Sequence, residues 1–71
     1  MSKTLEELEF YKIKGDKDTK EFIFVIPGTM IYIYYNSYQV TDEDGYLHYI
    51  SAELHKAIEL KMIELGLWRN E

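Results

Sequence analysis

Residues 21–50, EFIFVIPGTMIYIYYNSYQVTDEDGYLHYI, form one block dense in Ile, Val, Phe and Tyr, and six of the seven tyrosines fall inside it. β-Branched and aromatic side chains suit a pleated, half-buried surface. The turn residues Pro27-Gly28, Asn36-Ser37 and Asp42-Glu43-Asp44-Gly45 divide the block into strand-sized lengths. A sheet is therefore the frame of the fold. Because tyrosine joins an apolar ring to a polar tip, such a sheet can turn some rings toward its core and others toward a partner.

Within the block, Phe22, Phe24 and Ile26 alternate with Ile23 and Val25. Both faces of that strand are apolar, which predicts a central strand covered on both sides or nearly so. Ile26-Pro27-Gly28-Thr29 suits a type II turn, with Pro fixing φ at the second position and Gly supplying positive φ at the third. That type does not match the preferred twist of a tight two-residue hairpin, so a looser connection is also open. In residues 30–35, Ile31, Ile33 and Tyr35 alternate with Met30, Tyr32 and Tyr34, one set for the core and one for a tyrosine-bearing surface. Asn36-Ser37 is a weak turn, leading either into a separate strand over 38–41 or through one long bulged strand. The acidic turn 42–45 lies between YQVT and YLHYI as in a hairpin, giving four or five antiparallel strands in all.

Upstream, Thr4 and Glu7 have the spacing of a capping box. With Leu5, Leu8 and Tyr11 at helical spacing, they predict a short N-terminal helix over 5–9, the alternative being a strand that starts at Leu8. Residues 10–14 read as extended, and Gly15-Asp16-Lys17-Asp18-Thr19 as a loop.

At the other end Ser51 is a candidate N-cap, Glu53 favours the helix dipole and Gly66 is a stop, so a helix is predicted over 52–65. Leu54, Ala57, Ile58, Met62 and Leu65 form its sheet-facing stripe. Trp68 is expected to fold back over an end of the core. Leu60 and Ile63 project about 120° to 180° from Leu54. They are either isolated exposed side chains, with Leu67 completing the helix stop by a hydrophobic contact, or, together with Leu67, a second stripe for a homodimer or a partner.

The 71 residues allow one α+β domain spanning 1–71, with an antiparallel sheet and one C-terminal helix packed on one face. No cysteine is present, so disulfides and thiolate zinc sites are excluded. The apolar runs stop well short of the roughly 20 residues of a membrane helix, and the first ten residues lack a signal peptide's apolar stretch, so a cytoplasmic protein is the expectation. Net charge is −5, and residues 21–71 carry all of it, with three basic side chains against eight acids. Wrapping duplex nucleic acid draws on Lys and Arg, so that class is set aside.

Chemistry-bearing patterns are sparse. The only histidines are His48 and His55, and the serines at 2, 37 and 51 do not lie in a nucleophile elbow. Asp42-Glu43-Asp44-Gly45 and Asp16-Lys17-Asp18 lack the spacing and distal glutamate of a calcium loop. The four glycines stand alone at turns and caps. We expect no enzyme, no cofactor and no metal site. The ribbon-then-helix stretch YLHYISAELHKAIELKMIELG resembles ribbon-helix-helix repressors only loosely, because the second helix and the basic ribbon have no counterpart, and no family is assigned.

The remaining expectation is a non-catalytic protein-binding module, a small acidic regulator or inhibitor. Its contact residues would be Tyr32, Tyr34 and Tyr38 on the sheet, Asp42, Glu43 and Asp44 in the acidic turn, and Leu60, Ile63 and Leu67 on the helix. With Glu53 and Glu59 the turn acids would imitate nucleic-acid phosphates toward a basic groove on a nucleic-acid-handling enzyme, as some virus-encoded inhibitors do. The alternative is a single-stranded nucleic-acid or small-ligand binder that stacks bases on the tyrosine face.

Overall fold

The computed structural model describes residues 3–67. Four strands, β1 (Tyr11–Asp16), β2 (Glu21–Ile26), β3 (Thr29–Ile33) and β4 (Tyr38–Thr41), form an antiparallel sheet in the order β1-β2-β3-β4, followed by one helix, α1 (Ala52–Glu64). The architecture is α+β. A fifth strand is not made: after the acidic turn the YLHYI segment touches β4 through a single bridge, Thr41 with Leu47.

Register follows from alternation. Phe24, Ile31 and Val40 are cross-strand neighbours, as are Phe22, Ile33 and Tyr38, and they face the helix. All but the half-buried Tyr38 join Leu5, Phe10, Ala57, Ile58, Met62 and Leu67 in one buried core. Burying a Leu, Ile or Phe side chain contributes about 1.5–3 kcal/mol relative to leaving it exposed, so this single layer of contacts supplies the main drive to fold. The opposite face of the sheet is open. Ile23 and Val25 on β2 are only half-buried there, so the expected cover on both sides is present on one side alone. A single 13-residue helix can roof only one face of a four-stranded sheet.

Turn chemistry sets the connections. Ile26 pairs with Thr29, leaving Pro27 and Gly28 as a tight two-residue loop with Gly28 at φ +86°, the conformation a type II turn requires at that position. At 34–37 the Tyr34 N–H donates to the Ser37 carbonyl (2.8 Å), so β3 ends and β4 is a separate strand. β1 runs through Gly15 and Asp16, which pair with Phe22 and Glu21 rather than lying in the expected loop, and at its end Asp16 Oδ1 accepts the N–H groups of Asp18 (2.9 Å) and Thr19 (3.3 Å). Hydrogen bonds from the backbones of Thr19 and Asp18 hold that carboxyl below its ordinary pKa.

The expected N-terminal helix does not form; residues 5–9 make one hydrogen-bonded turn instead. Its capping box forms in full: Thr4 N–H donates to Glu7 Oε1 (2.9 Å) and Glu7 N–H to Thr4 Oγ1 (3.1 Å). Glu9 then adopts φ +72°, and Phe10 N–H reaches back to the Leu5 carbonyl (3.0 Å) while Glu9 N–H reaches Glu6 (2.9 Å). That is a Schellman closure after one turn. The same closure ends α1, where Leu67 N–H donates to Met62 (2.9 Å) and Gly66 N–H to Ile63 (3.0 Å). In both cases the residues joined by the bond of wider sequence separation, Leu5 with Phe10 and Met62 with Leu67, are buried in the core. Ser51 caps the start of α1, its Oγ accepting the Leu54 N–H (3.1 Å). Trp68 lies outside the described residues.

Lys61 ties the N-terminal turn to the helix. Its ammonium pairs with Glu6 at 2.7 Å and with Glu64, and it lies 5.7 Å from the centre of the Phe24 ring. Burial opposes the lysine charge, but hydrogen bonds to the two carboxylates outweigh it and its pKa is raised; the bond to Lys61 lowers that of Glu6.

Candidate interaction surface

The residues expected to form one tyrosine stripe are divided between the two faces. Tyr32, opposite Gln39, lies on the open face, with its hydroxyl 3.7 Å from Met30 Sδ. Tyr38, opposite Ile33, is on the helix side, where its hydroxyl hydrogen-bonds His55 Nδ1 and the two rings meet at 5.8 Å. Burial first, and Glu59 second, raise the Tyr38 phenol pKa. Tyr34 has left the strand for the 34–37 turn. Residues two apart share a face only while the chain stays extended, and the weak turn breaks that rule here.

The acidic turn is well ordered by its own hydrogen bonds. Asp42 Oδ1 accepts the N–H groups of Asp44 (2.9 Å) and Tyr46 (3.0 Å). Glu43 Oε1 accepts the Gly28 N–H at 2.9 Å, and His48 Nε2 lies 3.2 Å from the Gly28 carbonyl. Both polar groups of one glycine in the β2–β3 loop are thus held by side chains from the segment that follows β4. His55 stands apart on α1, between Tyr38 and Glu59, whose Oε2 is 3.6 Å from His55 Nε2. The two imidazoles serve different contacts. Among the described residues no group of three His, Asp or Glu side chains is arranged to hold a metal ion, and no helix is long and apolar enough to cross a membrane.

On the helix, Leu60 and Ile63 are partly exposed, whereas Leu67 is 7% exposed and belongs to the core. The stripe Leu60, Ile63 and Leu67 is therefore not a surface. Its third member is the hydrophobic partner of the helix stop, as the Schellman geometry demands.

What sequence reasoning missed lies between the acidic turn and α1. Tyr46, Leu47 and Tyr49 are 71%, 73% and 104% exposed, the most exposed large apolar side chains described. The YLHYI pattern left a fifth strand open, yet the segment makes only one bridge and these side chains stay exposed. Leu47 continues a row across the sheet, Tyr11–Val25–Met30–Thr41–Leu47, on the face away from the helix. Charge sharpens the contrast between the two sides of the sheet. From Glu21 to His55 the chain has no Lys or Arg but five acids, Glu21, Asp42, Glu43, Asp44 and Glu53. On the opposite edge β1 carries Lys12 and Lys14, and its hairpin Lys17 and Lys20.

No protein-family model, no curated protein and no solved structure matches the chain.

Proposed function

We propose that this chain is a non-catalytic protein-binding module, a small acidic regulator or inhibitor that docks on a basic surface of another protein. The supporting observation is the exposure of Tyr46, Leu47 and Tyr49 in a stretch of sequence, residues 44–53, that holds Asp44 and Glu53 and no Lys or Arg. Tyrosine supplies large contact area at low entropic cost. The carboxylates of that stretch draw cationic partners and repel nucleic-acid phosphates, which favours protein over single-stranded nucleic acid. A groove that ordinarily holds phosphates is one surface of the required kind. The acidic turn suits it because Asp42 and Glu43 are already anchored by backbone N–H groups.

Affinity capture on the immobilised chain, eluted by a salt gradient and compared with a Tyr46→Ala/Tyr49→Ala variant, tests the reading. Captured proteins should be basic, should elute early as ionic strength rises, and should be lost by the variant. Capture that ignores both salt and the double substitution would refute it.

A further inference from the structure

Resting on that reading, the backbone around Leu47 indicates how a partner engages. Asp42 N–H donates to the Tyr46 carbonyl (2.9 Å) and His48 N–H to the Val40 carbonyl (3.0 Å). These two bonds flank the Thr41–Leu47 bridge, which makes it a non-hydrogen-bonded antiparallel pair, whose own N–H and C=O groups point away from each other. Those of Leu47 consequently point outward from the sheet. Neither Leu47 nor Tyr49 makes a main-chain hydrogen bond among the described residues, and both are highly exposed. The segment has the composition of a strand and a free outer edge.

The two sides of the sheet treat their edges differently. β1 is guarded by Lys12 and Lys14 and by the bulge between them, both common protections against strand pairing. The 46–49 side has neither lysine nor proline, nor any bulge.

We infer that residues 46–49 are an acceptor edge for strand addition: an extended, lysine- or arginine-bearing segment of another protein pairs with the main chain of Leu47 and Tyr49. Main-chain bonds hold the added strand, and the Tyr46, Leu47 and Tyr49 side chains grip its alternate residues. Charge selects this occupant over a second copy. Symmetric pairing of two 46–49 edges would bring Asp44 and Glu53 of both copies together with no Lys or Arg in either span, whereas a cationic strand neutralises them.

The probe is an alternating valine-lysine octapeptide with blocked ends, beside a copy N-methylated on every residue so that neither edge has N–H donors. In the wild-type protein at low ionic strength the unmodified peptide should slow exchange of the Leu47 and Tyr49 amides about tenfold or more, and N-methylation should weaken binding by about tenfold. Leu47→Pro removes an outward N–H and no internal bond. It should reduce affinity about tenfold while the far-ultraviolet circular dichroism is kept, and Leu47→Ala, which retains the N–H, should lose less. If Leu47→Pro does not fold, amide exchange in the wild type decides. Equal binding of the two peptides, with unprotected Leu47 and Tyr49 amides, overturns strand addition and leaves acidic docking standing. No binding of either peptide at low ionic strength overturns both. Concentration-dependent self-association abolished by Leu47→Pro would show a second copy to be the occupant and overturn the inference.

Discussion

Glu43 and Gly28, fifteen positions apart in the chain, are joined by a 2.9 Å hydrogen bond from the glycine N–H to the glutamate carboxylate. With His48 on the Gly28 carbonyl, it fastens the segment carrying Tyr46 and Leu47 to the tip of the β2–β3 hairpin. A type II loop splays its strands relative to the favoured hairpin turns, and this clamp offsets that tendency. Glu43→Ala should cost about 0.5–1 kcal/mol in urea unfolding and speed exchange of the Gly28 amide, leaving the far-ultraviolet circular dichroism intact. An unchanged Gly28 exchange rate would show that the clamp is idle in solution.

Glu9 occupies the left-handed position that Gly66 fills at the equivalent point of the helix stop. A side chain there is strained by about 1 kcal/mol relative to glycine. Glu9→Gly should therefore stabilise the protein by about 0.5–1 kcal/mol, less whatever the more flexible unfolded chain takes back. Equilibrium unfolding of the pair checks this, and a loss of stability would mean the 5–9 turn closes differently.

The Glu6–Lys61 pair sets an acid limit. Hydrogen bonding to Lys61 holds the Glu6 carboxyl below its ordinary value, so the unfolded chain takes up the proton first. The contribution is complete above the ordinary glutamate range and disappears as pH falls through the depressed folded value. Since the Glu6 side chain is 58% exposed, its worth is under about 1 kcal/mol after solvent screening. In Lys61→Met, thermal melts taken from neutral to acid pH should fall less steeply than in the wild type. Parallel curves would dismiss the pair as a source of acid sensitivity.

Tyr38 and His55 join β4 to α1. Because burial and then Glu59 raise the Tyr38 phenol pKa, the fold loses stability as pH climbs past the ordinary tyrosine range. The difference in ultraviolet titration between wild type and Tyr38→Phe should have its midpoint above that range. The same variant gives up the bond to His55, at about 0.5–1.5 kcal/mol.

Leu67 and Ile63 should respond oppositely to change. Leu67→Ala removes a core side chain and should cost about 2–3 kcal/mol. Ile63→Glu, at a partly exposed position, should stay within about 0.5 kcal/mol of wild type. The two measured side by side separate a helix-stop residue from a surface one.

Strand and helix positions were legible because alternation in EFIFVI and TMIYI and the 3.6-residue spacing of Ala57, Ile58 and Met62 are strong, repeated signals. Capping at Thr4 and Ser51 was legible because one side chain meets one backbone group at a fixed offset, and the stop at Gly66 because the left-handed position favours a residue without a Cβ. Less could be read at Glu9, whose left-handed backbone is imposed by Leu5 and Phe10 reaching the same core, a tertiary demand with no local code. Nor could the sequence tell that YLHYI stops at one bridge. Its pattern is that of a strand, and only the lack of a covering element turns Tyr46, Leu47 and Tyr49 outward. The face assignments of Tyr32 and Tyr38 depended in turn on whether Asn36-Ser37 reset the register, and it did.

The run from Glu21 to His55 without lysine or arginine also has a chemical consequence. Trypsin has no site between Lys20 and Lys56, so digestion releases β2, β3, β4 and the exposed aromatic segment as one fragment. Reagents directed at primary amines will label the β1 hairpin and the helix and leave the opposite margin of the sheet unmodified, ready to be used with a dye already in place.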